Sequence, residues 1–142
     1  LNVPRTDLAG NAGLYRAFHQ AFGLGLMASA KGLYRGGLAA ALALSCLAGE
    51  IGAQVDLEAL PAEGDPDSAR RLFSESTGRF LVSVRPEDQT AFESIFTGLP
   101  CALVGRTAAD GRLSVDHSGR EIVRAGLDEL RAAFRRPFGH LI

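Results

Sequence analysis

Two short polar stretches hold the residue types best suited to chemistry. The first, Lys31-Gly32-Leu33-Tyr34-Arg35-Gly36-Gly37, places two glycines where a loop runs into an apolar segment starting at Leu38. If that segment is a helix, Gly36 and Gly37 leave backbone N–H groups free at the positive end of its dipole, where a phosphate can dock. Lys31 and Arg35 favour an anion there. The spacing is neither a Walker loop nor a dinucleotide fingerprint, so the same glycines also fit a plain turn that brings the helix close to a sheet. The second stretch, Phe73-Ser74-Glu75-Ser76-Thr77-Gly78-Arg79-Phe80, carries three hydroxyls, one carboxylate and one guanidinium. Hydroxyls and an arginine suit phosphate or ribose, and Glu75 can accept from an amine or a ribose hydroxyl. A helix end followed by a turn with a solvated arginine explains this stretch equally well.

Other reactive residues form no recognisable set. His19, His117 and His140 are scattered without metal-ligand spacing, and we expect His19 at a helix surface and the other two in loops. Asp110, Asp116 and His117 surround a predicted hairpin, where turn propensity accounts for the acids. No nucleophile elbow, catalytic carboxylate pair or Cys/His couple is present, so neither a catalytic residue nor a metal site is assigned. Cys46 and Cys101 lack the short spacing of a zinc site or a redox dithiol. They are expected to be buried thiols in a reducing, cytoplasmic setting.

The elements that must position these stretches follow from periodicity. Leu1 to Gly10 reads as an entering linker with a possible cap at Thr6 or Asp7, and residues 11–142 as a single domain. Leu14, Tyr15, Phe18, Ala21 and Phe22 predict one helix face ending near Gly23 or Gly25. A strand is expected at Leu26–Ala30, a buried helix from Leu38 to about Ile51 stopped by Gly52, and a strand at Ala53–Leu57. After a break at Pro61–Pro66 come a helix at Asp67–Phe73 and a central strand at Phe80–Val84. Pro86 opens a helix buried through Phe92, Ile95 and Phe96. Cys101–Arg106 and Leu113–Val115 read as strands joined by an Asp110-Gly111 hairpin. A last helix, Leu127–Phe134, turns Leu127, Leu130 and Phe134 inward and is ended by Pro137. The class is α+β: a three-layer α/β/α sandwich around a mixed sheet.

Composition narrows the function further. The chain has 142 residues, with 15 Lys+Arg against 16 Asp+Glu, which does not give the concentrated cationic face a nucleic-acid binder needs. The apolar stretch Leu38–Ala48 is well short of the roughly 20 residues of a membrane span. Neither nucleic acid nor membrane is an expected partner. The first residue is Leu1 rather than Met, so an excised piece or a processed product is expected.

Taken in order, Arg35-Gly36-Gly37-Leu38 with the alanine-rich run that follows, Gly52-Ala53-Gln54-Val55-Asp56-Leu57, Leu72-Phe73-Ser74-Glu75-Ser76-Thr77-Gly78-Arg79-Phe80-Leu81-Val82 and Val104-Gly105-Arg106 resemble a known module. They are similar to the C-terminal domain of the aminoimidazole-ribonucleotide-synthetase superfamily, over about Val3 to Arg136. Within it, the Phe-Ser-Glu-Ser block most resembles the last such module of the phosphoribosylformylglycinamidine synthases of purine biosynthesis. The resemblance implies a parent ligase in which ATP activates the formyl amide oxygen of formylglycinamide ribonucleotide. Ammonia from glutamine then displaces phosphate to give the amidine. It implies that ATP and Mg²⁺ are bound mainly by a preceding N-terminal module, which is one expected partner; a glutaminase component is the other. By analogy, Gly36, Gly37, Ser74, Glu75, Ser76 and Arg79 face a shared cleft and hold phosphorylated ligand by positioning and charge, without turnover by this chain alone. The family commonly shows an acidic loop of the His-Asp-x-Ser-Asp-Gly-Gly type where this chain has Lys31 to Gly37. That reversal of charge implies a non-catalytic, pseudo-symmetric counterpart of the family's cleft. Three alternatives stay open: a stand-alone anion- or nucleotide-sensing regulatory module, the corresponding domain of a hydrogenase maturation factor, and an assembly domain that forms a homodimer.

Overall fold

The structure, a computed structural model, describes residues 6–62 and 64–136. The stop at Pro137 and the placement of His140 lie outside the described residues. By contacts the chain divides into two units: one runs up to Ala41 and includes Leu72–Ala102, and the other comprises Leu42–Arg71 and the chain from Leu103 onward.

In the first unit, helix α1 (Leu8–Gly23) starts three residues before Asn11, because the Asp7 side chain accepts from the Gly10 amide and caps it. Ala17 and Ala21 are its buried positions, and they pack with Phe92 and Phe96 of the α4 (Gln89–Ile95) region. Leu14, Phe18 and Ile95 join that core half-buried. Tyr15 and Phe22, expected on the same face, are 48% and 67% exposed. The buried face is centred on Ala17 and Ala21, with Leu14 and Phe18 beside them, which puts Tyr15 and Phe22 at its edge. Strand β1 (Ser29–Gly32) lies later than expected and pairs antiparallel with β3 (Phe80–Ser83), Lys31 opposite Leu81 and Gly32 opposite Phe80. The central strand expected at Phe80–Val84 is therefore one half of a two-stranded ribbon, with every residue of β3 half-buried. Its apolar alternation is satisfied by packing on α1, where Phe18 and Phe80 stack with centroids 4.5 Å apart.

Helix α2 (Gly37–Gly49) begins in the first unit and ends in the second. It stops before Ile51, because Glu50 takes a left-handed φ of 48° and the Ile51 amide returns to the Cys46 carbonyl. The second unit is built on a four-stranded mixed sheet in the order β4-β2-β5-β6. Its strands are β2 (Gly52–Asp56), β4 (Gly105–Ala108), β5 (Arg112–His117) and β6 (Arg120–Gly126). The α+β class and the mixed sheet are as predicted. The Asp110-Gly111 turn, however, does not join a hairpin: β4 and β5 flank β2 on opposite sides, antiparallel and parallel. The hairpin is β5–β6, turned by Ser118 and Gly119 at φ 53° and 69°. His117 thus ends a strand instead of lying in a loop. Cys101 precedes β4 and is exposed, against the buried position expected, whereas Cys46 is buried. Val55, Leu57, Leu113 and Val115 are the buried apolar positions of the sheet and its following turn. Helix α3 (Ser68–Phe73) is capped by the Asp67 carboxylate on the Arg70 amide. Helix α5 (Leu127–Arg135) keeps Leu127 and Leu130 half-buried, but Phe134 is 58% exposed.

Candidate functional site

The two polar stretches meet in the first unit. Gly36 and Gly37 both adopt left-handed backbone, φ 79° and 58°, at the entry to α2. A Cβ on Gly37 would lie 2.7 Å from the carbonyl oxygens of Leu72 and Ser74, so the second stretch lies directly on the glycine. The amides expected to be free for an anion are engaged. The Gly37 N–H donates to the Tyr34 carbonyl, and the Gly36 N–H donates to Glu75 Oε1 at 2.8 Å. The helix entrance therefore carries an anion supplied by the chain itself, in keeping with the positive end of the dipole.

Arg79 holds the second stretch from the other side. Its Nη1 donates to the Ser74 carbonyl at 3.0 Å and to Ser74 Oγ at 2.7 Å, while its own carbonyl accepts from the Leu33 amide. Burial pulls the guanidinium down from its usual range, since desolvation disfavours the charge. It stays protonated, as arginine does in proteins. Glu75, Ser76 and Arg79 line a cavity of about 320 Å³ together with Arg35, Tyr15 and Tyr34. Gly36, Gly37 and Ser74 shape its wall indirectly, through the contacts above. Lys31 sits in β1 and does not line it.

The two tyrosines were not singled out from the sequence as site residues. The available signal for Tyr34 is its place within the first polar stretch; the structure leaves it 74% exposed. Tyr15 had been assigned to the core face of α1. A shallow depression of about 340 Å³ in the second unit, touched by Asp56, Arg106 and Asp116, contains none of the predicted site residues. Among the described residues, no three of the His, Cys, Asp and Glu side chains come together as a metal set. Nor is any described helix long and apolar enough to cross a membrane.

The chain is 39% identical over 133 residues, 92% of its length, to phosphoribosylformylglycinamidine synthase subunit PurL of Thermobifida fusca. The solved structure of T. maritima PurL complexed with FGAR superposes with a TM-score of 0.81, covering 90% of this chain and 22% of that one at 22% identity. That of T. maritima PurL complexed with ATP gives 0.75, covering 83% and 21% at 24% identity. These two likenesses are of fold. The chain spans only 14–18% of the length of the first curated relatives it matches. Residues 12–118 match the family model described as AIR synthase related protein, C-terminal domain, and the chain belongs to that family.

Proposed function

We propose that residues 11–142 act as one C-terminal module of a phosphoribosylformylglycinamidine synthase, supporting the fold and holding a phosphorylated ligand without turning it over alone. In the parent reaction, ATP would activate the formyl amide oxygen of formylglycinamide ribonucleotide, and ammonia from a glutaminase partner would displace phosphate. ATP and Mg²⁺ would be bound mainly by the N-terminal module of the same polypeptide, in the cytoplasm.

One observation carries the ligand-holding role: the Gly36-Gly37 and Ser74–Arg79 stretches converge on one cavity that has Arg35 and Arg79 in its wall. Arg79 would supply charge from a partly desolvated position, Ser76 would supply a hydroxyl, Ser74 holds Arg79 in place, and Glu75 fixes the helix entrance. Calorimetric titration with ATP, ADP and formylglycinamide ribonucleotide tests this, with Arg79→Ala as control and circular dichroism confirming the fold. Binding by the unmodified chain that disappears in Arg79→Ala is the expected result. Silence from a folded chain with all three ligands overturns the ligand-holding role. Amidine formation by this chain alone overturns its supporting role.

A further inference from the structure

A second constellation lies within the second unit. Ser68 Oγ is 2.6 Å from His117 Nδ1, and His117 Nε2 is 3.5 Å from Glu58 Oε1. Glu58 Oε1 is fixed in turn by the Ser118 amide at 3.1 Å and the Ser118 hydroxyl at 3.0 Å. A carboxylate facing Nε2 favours the tautomer with its proton on that nitrogen, which leaves Nδ1 as the acceptor for the serine hydroxyl. The Ser68 hydroxyl is not consumed as a helix cap, because Asp67 takes that role. Burial limits competing water at the base: the His117 side chain is 12% exposed. Arg120, opposite His117 across the hairpin, is exposed.

A nucleophile, a base in hydrogen-bond reach and a third group orienting the base make the arrangement of an activated serine. We propose that Ser68, His117 and Glu58 form a nucleophilic site that accepts acyl groups from carboxylic esters. Ser68 Oγ attacks the ester carbonyl carbon while its proton passes to His117 Nδ1. The bond from that carbon to the leaving oxygen breaks, and the leaving alkoxide takes the proton from His117 and departs as an alcohol. Water, deprotonated by the same nitrogen, then releases the carboxylic acid and restores Ser68. Glu58 is a positioning residue.

The test is covalent labelling with a fluorophosphonate, read by intact mass and peptide mapping on the folded chain. The expected result is one adduct on Ser68, lost in Ser68→Ala. His117→Ala slows labelling at least about 100-fold, the low end for losing a general base, and added imidazole restores it; His117→Gln, closer in size, is slowed likewise. Glu58→Ala slows labelling about tenfold by loss of orientation, and Glu58→Gln, which keeps an acceptor oxygen, recovers most of the rate. A folded chain that takes no label, an adduct on a different residue, or full-rate labelling in the His117 variants overturns the proposal.

Discussion

The Gly36 amide donates to Glu75 Oε1 at 2.8 Å across 39 residues of sequence, so the entrance of α2 is capped by a side chain from the loop it faces. The contact ties the two polar stretches into one structure. Glu75→Ala is expected to cost about 1 kcal/mol, the usual worth of a helix cap. Glu75→Gln, which keeps an acceptor oxygen, should lose less than half of that. Urea unfolding midpoints at constant slope check both.

Gly37 has two independent reasons to be glycine: a φ of 58° and a virtual Cβ 2.7 Å from two backbone oxygens. Gly37→Ala should destabilise by roughly 3 kcal/mol, combining left-handed strain with overpacking against rigid backbone. Chemical denaturation measures it. A loss below about 1 kcal/mol would mean that the close approach of Ser74 does not hold in solution.

Arg71 is the one buried charged side chain among the described residues, at 7% exposure. Its Nε donates to the Pro66 carbonyl and its Nη1 to the Leu57 carbonyl, both at 2.9 Å, and so it folds the intervening segment back on itself. Its ion pair, by contrast, is with Asp65, which is 97% exposed and 3.5 Å away. Arg71→Met should cost roughly 2–4 kcal/mol, because buried carbonyls lose their donor. Asp65→Asn should cost less than about 0.5 kcal/mol, as exposed ion pairs do. Thermal melts of the two variants separate the carbonyl contacts from the charge pair.

Both thiols titrate above the ordinary value of 9.0: Cys46 through burial, and Cys101 through partial desolvation reinforced by the nearby Glu93 carboxylate. Raised values mean that the neutral thiols favour the folded state below that pH, and that this contribution is lost as pH rises through the folded values. Iodoacetamide should therefore modify Cys101 alone in the native protein, more slowly at pH 8 than it modifies free cysteine. The rate should climb steeply above pH 9. Mass spectrometry of the alkylated chain distinguishes the two sites.

Glu50 ends α2 in left-handed backbone where glycine is the usual residue, and its ion pair with Arg131, at 3.6 Å, leaves it 79% exposed. Glu50→Gly is expected to stabilise the protein by about 0.5–1 kcal/mol. The readout is an upward shift of the unfolding midpoint.

Local signals were legible wherever one residue's chemistry decides the outcome. Asp67 starts a helix, Phe92 and Phe96 bury one, and Val55 and Leu57 alternate inward. Partner choice was not legible. Asp110-Gly111 makes a tight turn whether or not the strands on either side pair, and here β2 lies between them. The β5–β6 hairpin escaped notice because Arg120 to Gly126 is largely exposed and shows little alternation. Half-burial of Phe80 to Ser83 likewise looks the same in a ribbon packed on a helix as in a sheet centre.

For the candidate site, the sequence by itself determined the chemistry available: paired glycines, hydroxyls, a carboxylate and an arginine in two stretches, with blocks characteristic of the family. Only the tertiary structure decided how those groups are spent. It put Glu75 on the Gly36 amide, turned Arg79 onto Ser74, and brought Ser68, His117 and Glu58 together across 49 and 60 or so positions of chain. Residue type fixes what a group can donate or accept. Which partner it finds depends on contacts between residues remote in sequence, and local patterns do not encode those.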